Sequence, residues 1–572
     1  MKSTIIYFCL SLLLLCTSKG FAQYKQNVVN QTMMVQNAEA RVPLKRLDKH
    51  RIAVVTPFPR KYAAFVQMLQ RYADVASYDF NQYEEHTKYS NTIIVAGTPE
   101  DLRHDLLLLV KQSLVHNKQI IIVRFEKKLT TASWSPRRLN GKYSELIYPG
   151  FSLEAQQYAA MSIFGGLAIT QGPFKTEQTR LQYGTTASCG LDLEGITKKI
   201  DAIAAEAIQE RATPGMVVMA VKNGQVIIDK AYGTHTYGGG IHTKTSDIFD
   251  LASVSKIAGT TPVVMHLQER GVIELDSTMG CYLGQVQETN KKDITLRSVL
   301  LHEAGFVPFI PFYRQLKPGD LVHQPDTAHQ VRVAEKAYLR NNYYRDVMWP
   351  QMMQSPVKPV GQYVYSDISM YVMKEIAERM TAKPMEEYVQ ELFYHPLGMK
   401  TAGYNPRKRF AKNQIVPTQN DKVFRKELLQ GYVHDEGAAM AGGVAGHAGL
   451  FGSANDLAIY GQLLLNRGEY GGIQYFKPQT VDLFTSRQSL TSRRGLGFDR
   501  VDPDGKKEYP SRLANESVFG HTGYTGTCVW IDPKNQLIYI FLSNRVHPQV
   551  STKLLDLNIR SRIQDVIYEG LL

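Results

Sequence analysis

The chain has 572 residues, 44% of them hydrophobic and 21% charged, enough for at least two packed domains. Its formal net charge is +13, yet no block of Lys and Arg and no nucleic-acid motif accompanies it. Nucleic acid is therefore not expected as a partner, and the charge fits a well-solvated surface or an anionic envelope polymer. Five cysteines and scattered histidines, with no His-Glu-x-x-His pattern, give neither a disulfide framework nor a metal site, and no cofactor is expected.

The chain opens Met1-Lys2, continues with an apolar run over residues 5–16, and reaches Lys19-Gly20-Phe21-Ala22-Gln23. This reads as a signal peptide over residues 1–22, cleaved near Ala22, and predicts export to the periplasm or cell envelope. The run is too short to span a bilayer, and no later segment looks transmembrane. Leu15 before Cys16 is bulkier than a lipidation signal tolerates, so lipidation is not expected. Cleavage leaves Cys189, Cys281 and Cys528 and a net charge of +11.

Residues 23–50 are polar and read as extended or partly helical. Strands are predicted over 51–55, 92–96, 119–124 and 146–148, and helices over 62–72, 100–116 and 153–164. Strands alternating with helices predict a Rossmann-like α/β domain, a parallel sheet covered on both faces. The apolar Ile52-Ala53-Val54-Val55 suits a sheet centre. Tyr89-Ser90-Asn91 reads as the start of a strand. The stretch Ser144 to Gly150, then Ala155-Gln156-Gln157-Tyr158, Ile163-Phe164-Gly165-Gly166 and Gln171-Gly172-Pro173, resembles the C-terminal α/β domain of glycoside hydrolase family 3 over residues 30–180. That family's sugar chemistry sits in a preceding barrel of roughly 200 residues or more. Fewer than thirty residues between leader and domain leave no room for it. The resemblance therefore implies a spacer without glycosidase activity, or a partner of a separate glycosidase chain.

Residues 181–190 read as a linker and residues 191–572 as the second domain. A helix is predicted over 191–211 from Leu191, Ile196, Ile200, Ile203 and Ala207 on one face. Strands are predicted at 216–221, 226–232, 528–531 and 537–542, and a helix at 554–568. Between them stands Ser253-Val254-Ser255-Lys256, after a β-rich run at 247–251 and at the start of an apolar helical pattern reaching Gly271. That spacing puts a hydroxyl at a helix N-terminus and an ammonium one turn along the same face, where it can activate a serine nucleophile. Pro262 is expected to kink the helix beyond that turn. A second match, Ser355-Pro356-Val357-Lys358, carries prolines that exclude a regular helix and reads as a loop.

Tyr365-Ser366-Asp367 precedes a helical run through Ile376, and Gly520-His521-Thr522-Gly523-Tyr524 leads into a strand. Ser-x-x-Lys, Tyr-Ser-Asp and His-Thr-Gly in this order resemble the serine β-lactamase and penicillin-binding-protein-like hydrolases of the class C type. Leu300-Leu301-His302-Glu303-Ala304-Gly305 and Gly449-Leu450-Phe451 with Asp456-Leu457-Ala458 look like two further motifs of that family. The resemblance implies an α+β domain: an antiparallel sheet flanked by helices, with an all-helical subdomain. It implies Ser253 as nucleophile, Lys256 as its proton relay and Tyr365 as general base and acid. It places an oxyanion hole at the N–H groups of Ser253 and Tyr524, and His521, Thr522 and Gly523 on the edge that takes substrate. His302 and His447 read as turn and loop residues.

Two positions depart from the family pattern. Asp367 stands where Asn is usual; its carboxylate holds Lys256 protonated, while its own charge opposes a phenolate at Tyr365, and the balance stays open. His521 stands where β-lactamases carry Lys. A histidine of ordinary pKa, roughly 6.5, is mostly neutral at pH 7 and attracts a carboxylate less. The expected function is an acyl-enzyme hydrolase of D-amino-acid, peptidoglycan-type peptides or small esters, not an efficient β-lactamase. An esterase or transacylase without a cell-wall role, and a non-catalytic binding module, are the alternatives.

Overall fold

The computed structural model describes residues 32–79, 89–102, 112–114, 116–126, 142–184, 191–502 and 510–571. The leader at 1–22, most of the linker and most of the helix expected at 100–116 lie outside the described residues. The chain divides into two compact units, one of residues up to Leu191 with Pro396–Gly398 and Tyr470–Ile473, the other the remainder from Asp192.

The first unit is built on a six-stranded sheet. Its strands are β1 (Met33–Asn37), β2 (Ile52–Val55), β3 (Val75–Tyr78), β4 (Thr92–Gly97), β5 (Gln119–Glu126) and β6 (Ser144–Pro149), in the order β1-β6-β5-β4-β2-β3. Strands β2 to β6 run parallel. Their Val- and Ile-rich centres are buried throughout, as a sheet covered on both faces requires. Helix α1 (Ala63–Tyr72) buries Phe65, Val66, Met68, Leu69 and Tyr72 along one face. Helix α2 (Leu153–Phe164) starts where Ser152 Oγ accepts from the Ala155 N–H and stops at Gly165 in a left-handed conformation. Two strands escaped the sequence pattern. β3 is half exposed and lacks an apolar run, and β1 pairs antiparallel with β6 at the sheet edge, so the sheet is mixed rather than purely parallel. The Asn91 side chain accepts from the Arg51 N–H and donates to the Lys49 carbonyl, which starts β4.

The second unit opens with helix α3 (Leu193–Gln209) and the hairpin β7 (Gly215–Lys222) and β8 (Gln225–Gly233). A short strand β9 (Phe249–Asp250), helix α4 (Thr261–Glu269) and a region rich in helices follow. That region is not all-helical. It also carries a three-stranded antiparallel sheet of β10 (Leu321–Val322), β11 (Val331–Ala334) and β12 (Ala337–Leu339), because the polar, turn-rich stretch between β10 and β12 pairs back on itself. Helix α5 (Ile368–Thr381), β13 (Gly403–Tyr404), β14 (Leu450–Gly452) and helix α6 (Ala454–Leu465) come next, and β14 pairs with both β13 and β9.

The chain then completes the main sheet with β15 (Asp499–Arg500), β16 (Phe519–Thr522), β17 (Cys528–Asp532) and β18 (Leu537–Ser543), in the order β15-β16-β17-β18-β7-β8, all antiparallel. Ile538 of β18 faces Gly461 of α6, while the neighbouring Tyr539 donates to the Arg560 carbonyl of the terminal helix α7 (Ile559–Glu569). Adjacent strand residues point to opposite faces, so α6 and α7 cover the two sides of the sheet. The helix expected over 554–568 is two pieces, because Asn558 is left-handed with φ 51°.

Candidate active site

Ser253 lies on a forced turn. Strand β9 ends at Asp250, whose carboxylate accepts from the Ala252 N–H at 3.0 Å, and Ala252 itself sits at φ 46°, a conformation costly for a residue with a Cβ. The loop after β16 is stitched to this turn. Thr525 Oγ1 donates to the Asp250 carbonyl at 2.8 Å and Thr527 Oγ1 to the Leu251 carbonyl at 3.1 Å. A Cβ at Gly523 would stand 2.6 Å from the Leu251 carbonyl oxygen, so only glycine lets the strand end approach the serine turn this closely. Among the described residues, neither the Ser253 N–H nor the Tyr524 N–H has an acceptor.

The helix after Ser253 begins as a π-turn, Lys256–Thr260, before continuing as α4. Pro262 has no N–H for the Ala258 carbonyl, and the wider turn leaves the Ile257 carbonyl free as well. Tyr394 Oη donates to Ala258 at 2.7 Å and Tyr460 Oη to Ile257 at 2.5 Å, so both buried carbonyls are satisfied. The expected proline effect is a change of helix type at Lys256 rather than a kink beyond it.

Lys256 is fully buried and uses all three ammonium protons. It donates to Ser253 Oγ at 2.9 Å, to Asp367 Oδ1 at 2.8 Å and to the His447 carbonyl at 3.3 Å, and it lies 4.9 Å from the Tyr365 ring centre. Burial works against its charge, but the Asp367 carboxylate and then Tyr365 more than offset it and hold its pKa above the ordinary lysine value.

Tyr365 and Asp367 come from the segment before α5. His302, at φ 56° in its own turn, positions them: its Nδ1 accepts from the Ser366 N–H at 3.2 Å and its ring lies 4.6 Å from that of Tyr365. Burial, then the nearby charges of Arg494 and Lys256, push the His302 pKa well down, so it is a neutral support. His447 pairs with Asp435 at 2.9 Å; burial opposes its charge, yet Asp435 and Asp367 hold its pKa up. Donor atoms of Asp367, Asp435 and His447 lie within 4.8 Å of one another, a geometry a metal ion could use. Lys256, and His447 with its pKa held up, bring positive charge next to those carboxylates.

His521 and Thr522 stand at the end of β16. His521 Nδ1 donates to the Thr522 carbonyl at 2.7 Å, and its buried Nε2 has no partner among the described residues. Burial, then Arg494 and Lys256, push its pKa down to about 3, so it is neutral throughout the physiological range. With the proton on Nδ1, Nε2 offers a lone pair to a donor rather than charge to a carboxylate.

Ser253, Tyr365, His521, Thr522, Gly523 and Tyr524 line one cavity of about 420 Å³. Four residues that carry no sequence motif share it: Arg493, Arg494, Arg545 and Arg560. The loop bearing the first two is tied to the His302 turn, where the Ser489 and Thr491 hydroxyls donate to Glu303. The adjacent arginines before Gly495 were the only local hint. Ser355 to Lys358 is loop.

The beta-lactamase family model matches residues 200–563. A protein of Escherichia coli K12 provisionally named a D-alanyl-D-alanine carboxypeptidase is 31% identical over 363 residues, covering 59% of this chain and 80% of its own. An N-acetylmuramyl-L-alanine amidase of Bacillus subtilis strain 168 is 32% identical over 364 residues, covering 59% and 78%. The solved structure of EstCE1, described as a hydrolase with promiscuous acyltransferase activity, is 17% identical and shares the fold, with a TM-score of 0.50 over 66% of this chain and 99% of its own. Among the described residues no helix is long and apolar enough to cross a membrane. With its family model matched over well over half its length, the chain belongs to the beta-lactamase family and is a serine hydrolase.

Proposed function

We propose that this hydrolase cleaves amide bonds of peptidoglycan-type peptides through an acyl-enzyme on Ser253. The observation that carries the reading is the single ammonium of Lys256 joining Ser253 Oγ to Asp367 beneath Tyr365. A lysine already donating three hydrogen bonds has no lone pair with which to take the serine proton, so Tyr365 is the base. Its phenolate takes the proton, its charge offset by the ammonium beneath it, and Ser253 Oγ attacks the substrate carbonyl. The free N–H groups of Ser253 and Tyr524 receive the oxyanion. Tyr365 then returns the proton to the departing amine, and water releases the acyl group by the same path.

The substrate class rests on the names of two relatives at about 30% identity, one provisionally named a D-alanyl-D-alanine carboxypeptidase and one named an N-acetylmuramyl-L-alanine amidase, both names of amide-cleaving enzymes. The leader at 1–22 supports export to where such peptides occur. For residues 30–180 the motif stretch from Ser144 to Pro173 supports a family 3 C-terminal-like domain, with 181–190 as linker and 191–572 as the hydrolase.

The test is release of amino acid from N-acetylated peptides ending in D-Ala-D-Ala, read by chromatography, with Ser253→Ala as control. Release by the wild type alone is expected. Turnover of p-nitrophenyl acetate with no peptide cleaved would favour an esterase and set the peptide reading aside.

A further inference from the structure

The cavity beside Ser253 holds four guanidinium groups against one carboxylate, Asp499. That carboxylate is committed to one pair: Arg493 binds it through two bonds of 2.6 and 2.9 Å, and Arg494 lies 3.5 Å away. Arg494 is buried, donates to the Gly497 carbonyl at 3.0 Å, and has an Nε without a partner among the described residues. The second pair has no acid at all among the described residues. Arg545 donates to the Ser551 carbonyl at 2.6 Å and lies 4.7 Å from the Tyr524 ring centre; Arg560 donates to the Thr527 carbonyl at 3.3 Å. Arg545 is also largely buried.

Like charges gathered in a partly desolvated cavity repel one another unless an anion joins them. His521 contributes no charge, so a substrate carboxylate next to the scissile bond falls to Arg494. That accounts for one anion, and leaves Arg545 and Arg560 unanswered. Because these residues line the same cavity as Ser253, the group that answers them is part of the substrate.

Resting on the acyl-enzyme reading above, we infer that the site selects peptides bearing two separate carboxylates, one met by Arg494 and the second by Arg545 and Arg560. Such a peptide carries an acidic side chain, or a free carboxylate along its length, in addition to its terminal carboxylate. The second anion would accept charge-assisted hydrogen bonds from these guanidinium groups, each roughly twice as strong as a neutral one.

Isothermal titration of the full chain carrying Ser253→Ala tests this without turnover. The ligands are two matched pairs: N-acetyl-D-Ala-D-Glu against N-acetyl-D-Ala-D-Gln, and N-acetyl-D-Glu-D-Ala against N-acetyl-D-Gln-D-Ala. In at least one pair the dianion is expected to bind about tenfold tighter or more, the scale of one charge-assisted bond. Adding Arg560→Gln, or separately Arg545→Gln, is expected to remove that preference, and Arg560→Lys to retain part of it. Equal Kd values within both pairs, no binding by any of the four, or a preference that survives both glutamine substitutions would overturn the inference. Failure of the underlying reading would show differently, as wild-type protein whose Ser253 takes no acylating probe.

Discussion

Replacing Asp367 with Asn leaves a buried ammonium without its carboxylate, and the loss can be bounded. Lys256 is fully buried, and of its three acceptors only Asp367 carries charge. Breaking a buried pair by removing one partner typically costs about 3–5 kcal/mol. Lysine has an escape, because it can shed its proton. From an unfolded pKa of about 10.4, deprotonation at pH 7 costs about 4.6 kcal/mol, which caps the loss. At pH 9 the same cap is about 2 kcal/mol.

The sign follows from the two pKa shifts. In the wild type the folded pKa of Lys256 is raised, so its stabilisation is present below the unfolded value and is lost only as pH rises through the folded one. In Asp367→Asn burial dominates and the folded pKa falls below the unfolded one. The unfolded chain then binds the extra proton, and the variant gains stability as pH rises. For a unit of about 370 residues the pH 7 loss lowers Tm by about 6 °C at most. Thermal melts of both proteins at pH 7 and pH 9 are the assay. The gap between them should narrow by roughly half at pH 9; a gap that is constant or wider at pH 9 refutes an ammonium held by Asp367.

His521, with its pKa pushed down to about 3, stays neutral in the fold while the unfolded chain takes up a proton below pH 6.5. It should therefore withdraw about 2 kcal/mol of stability between pH 7 and pH 5, and urea melts of His521→Gln should show that share of the pH dependence gone. Gly523→Ala drives a Cβ to 2.6 Å from the Leu251 carbonyl oxygen, so a destabilisation of about 1–3 kcal/mol with slowed labelling of Ser253 is expected; normal melting and labelling would count against the close strand approach. Tyr394→Phe strips the Ala258 carbonyl of its buried donor and should cost about 1–3 kcal/mol by denaturant melts, whereas an unchanged midpoint would mean that the π-turn needs no such support.

The sequence made legible what local spacing encodes. Ser253 and Lys256 sit three residues apart on one helical turn, and the buried strands β2, β4, β5, β7 and β18 are built around apolar runs. The pattern was blind where tertiary contact decides. β3 and β1 are short and partly polar, and they are strands because a neighbour offers them an edge. The π-turn at Lys256 depends on two tyrosines more than a hundred residues away. His302 read as a turn residue because its ring partner, Tyr365, is distant in the chain. The four arginines of the cavity come from two loops and a helix, and apart from the adjacent Arg493 and Arg494 no local spacing marks them. His521 was legible as a motif residue that is mostly neutral at pH 7, but its depth of burial, which extends that neutrality well below the range of an ordinary histidine, was not.

The central claim is that Ser253 is acylated with Tyr365 as base and Lys256 as a fixed ammonium. Intact-mass labelling of the leaderless chain with a fluorophosphonate and, in parallel, a penicillin tests it most directly, with Ser253→Ala and Tyr365→Phe alongside. The account predicts a single adduct on wild-type protein, none on Ser253→Ala, and labelling slowed by about 100-fold or more on Tyr365→Phe. No adduct on the wild type, or an adduct that persists in Ser253→Ala, would contradict it.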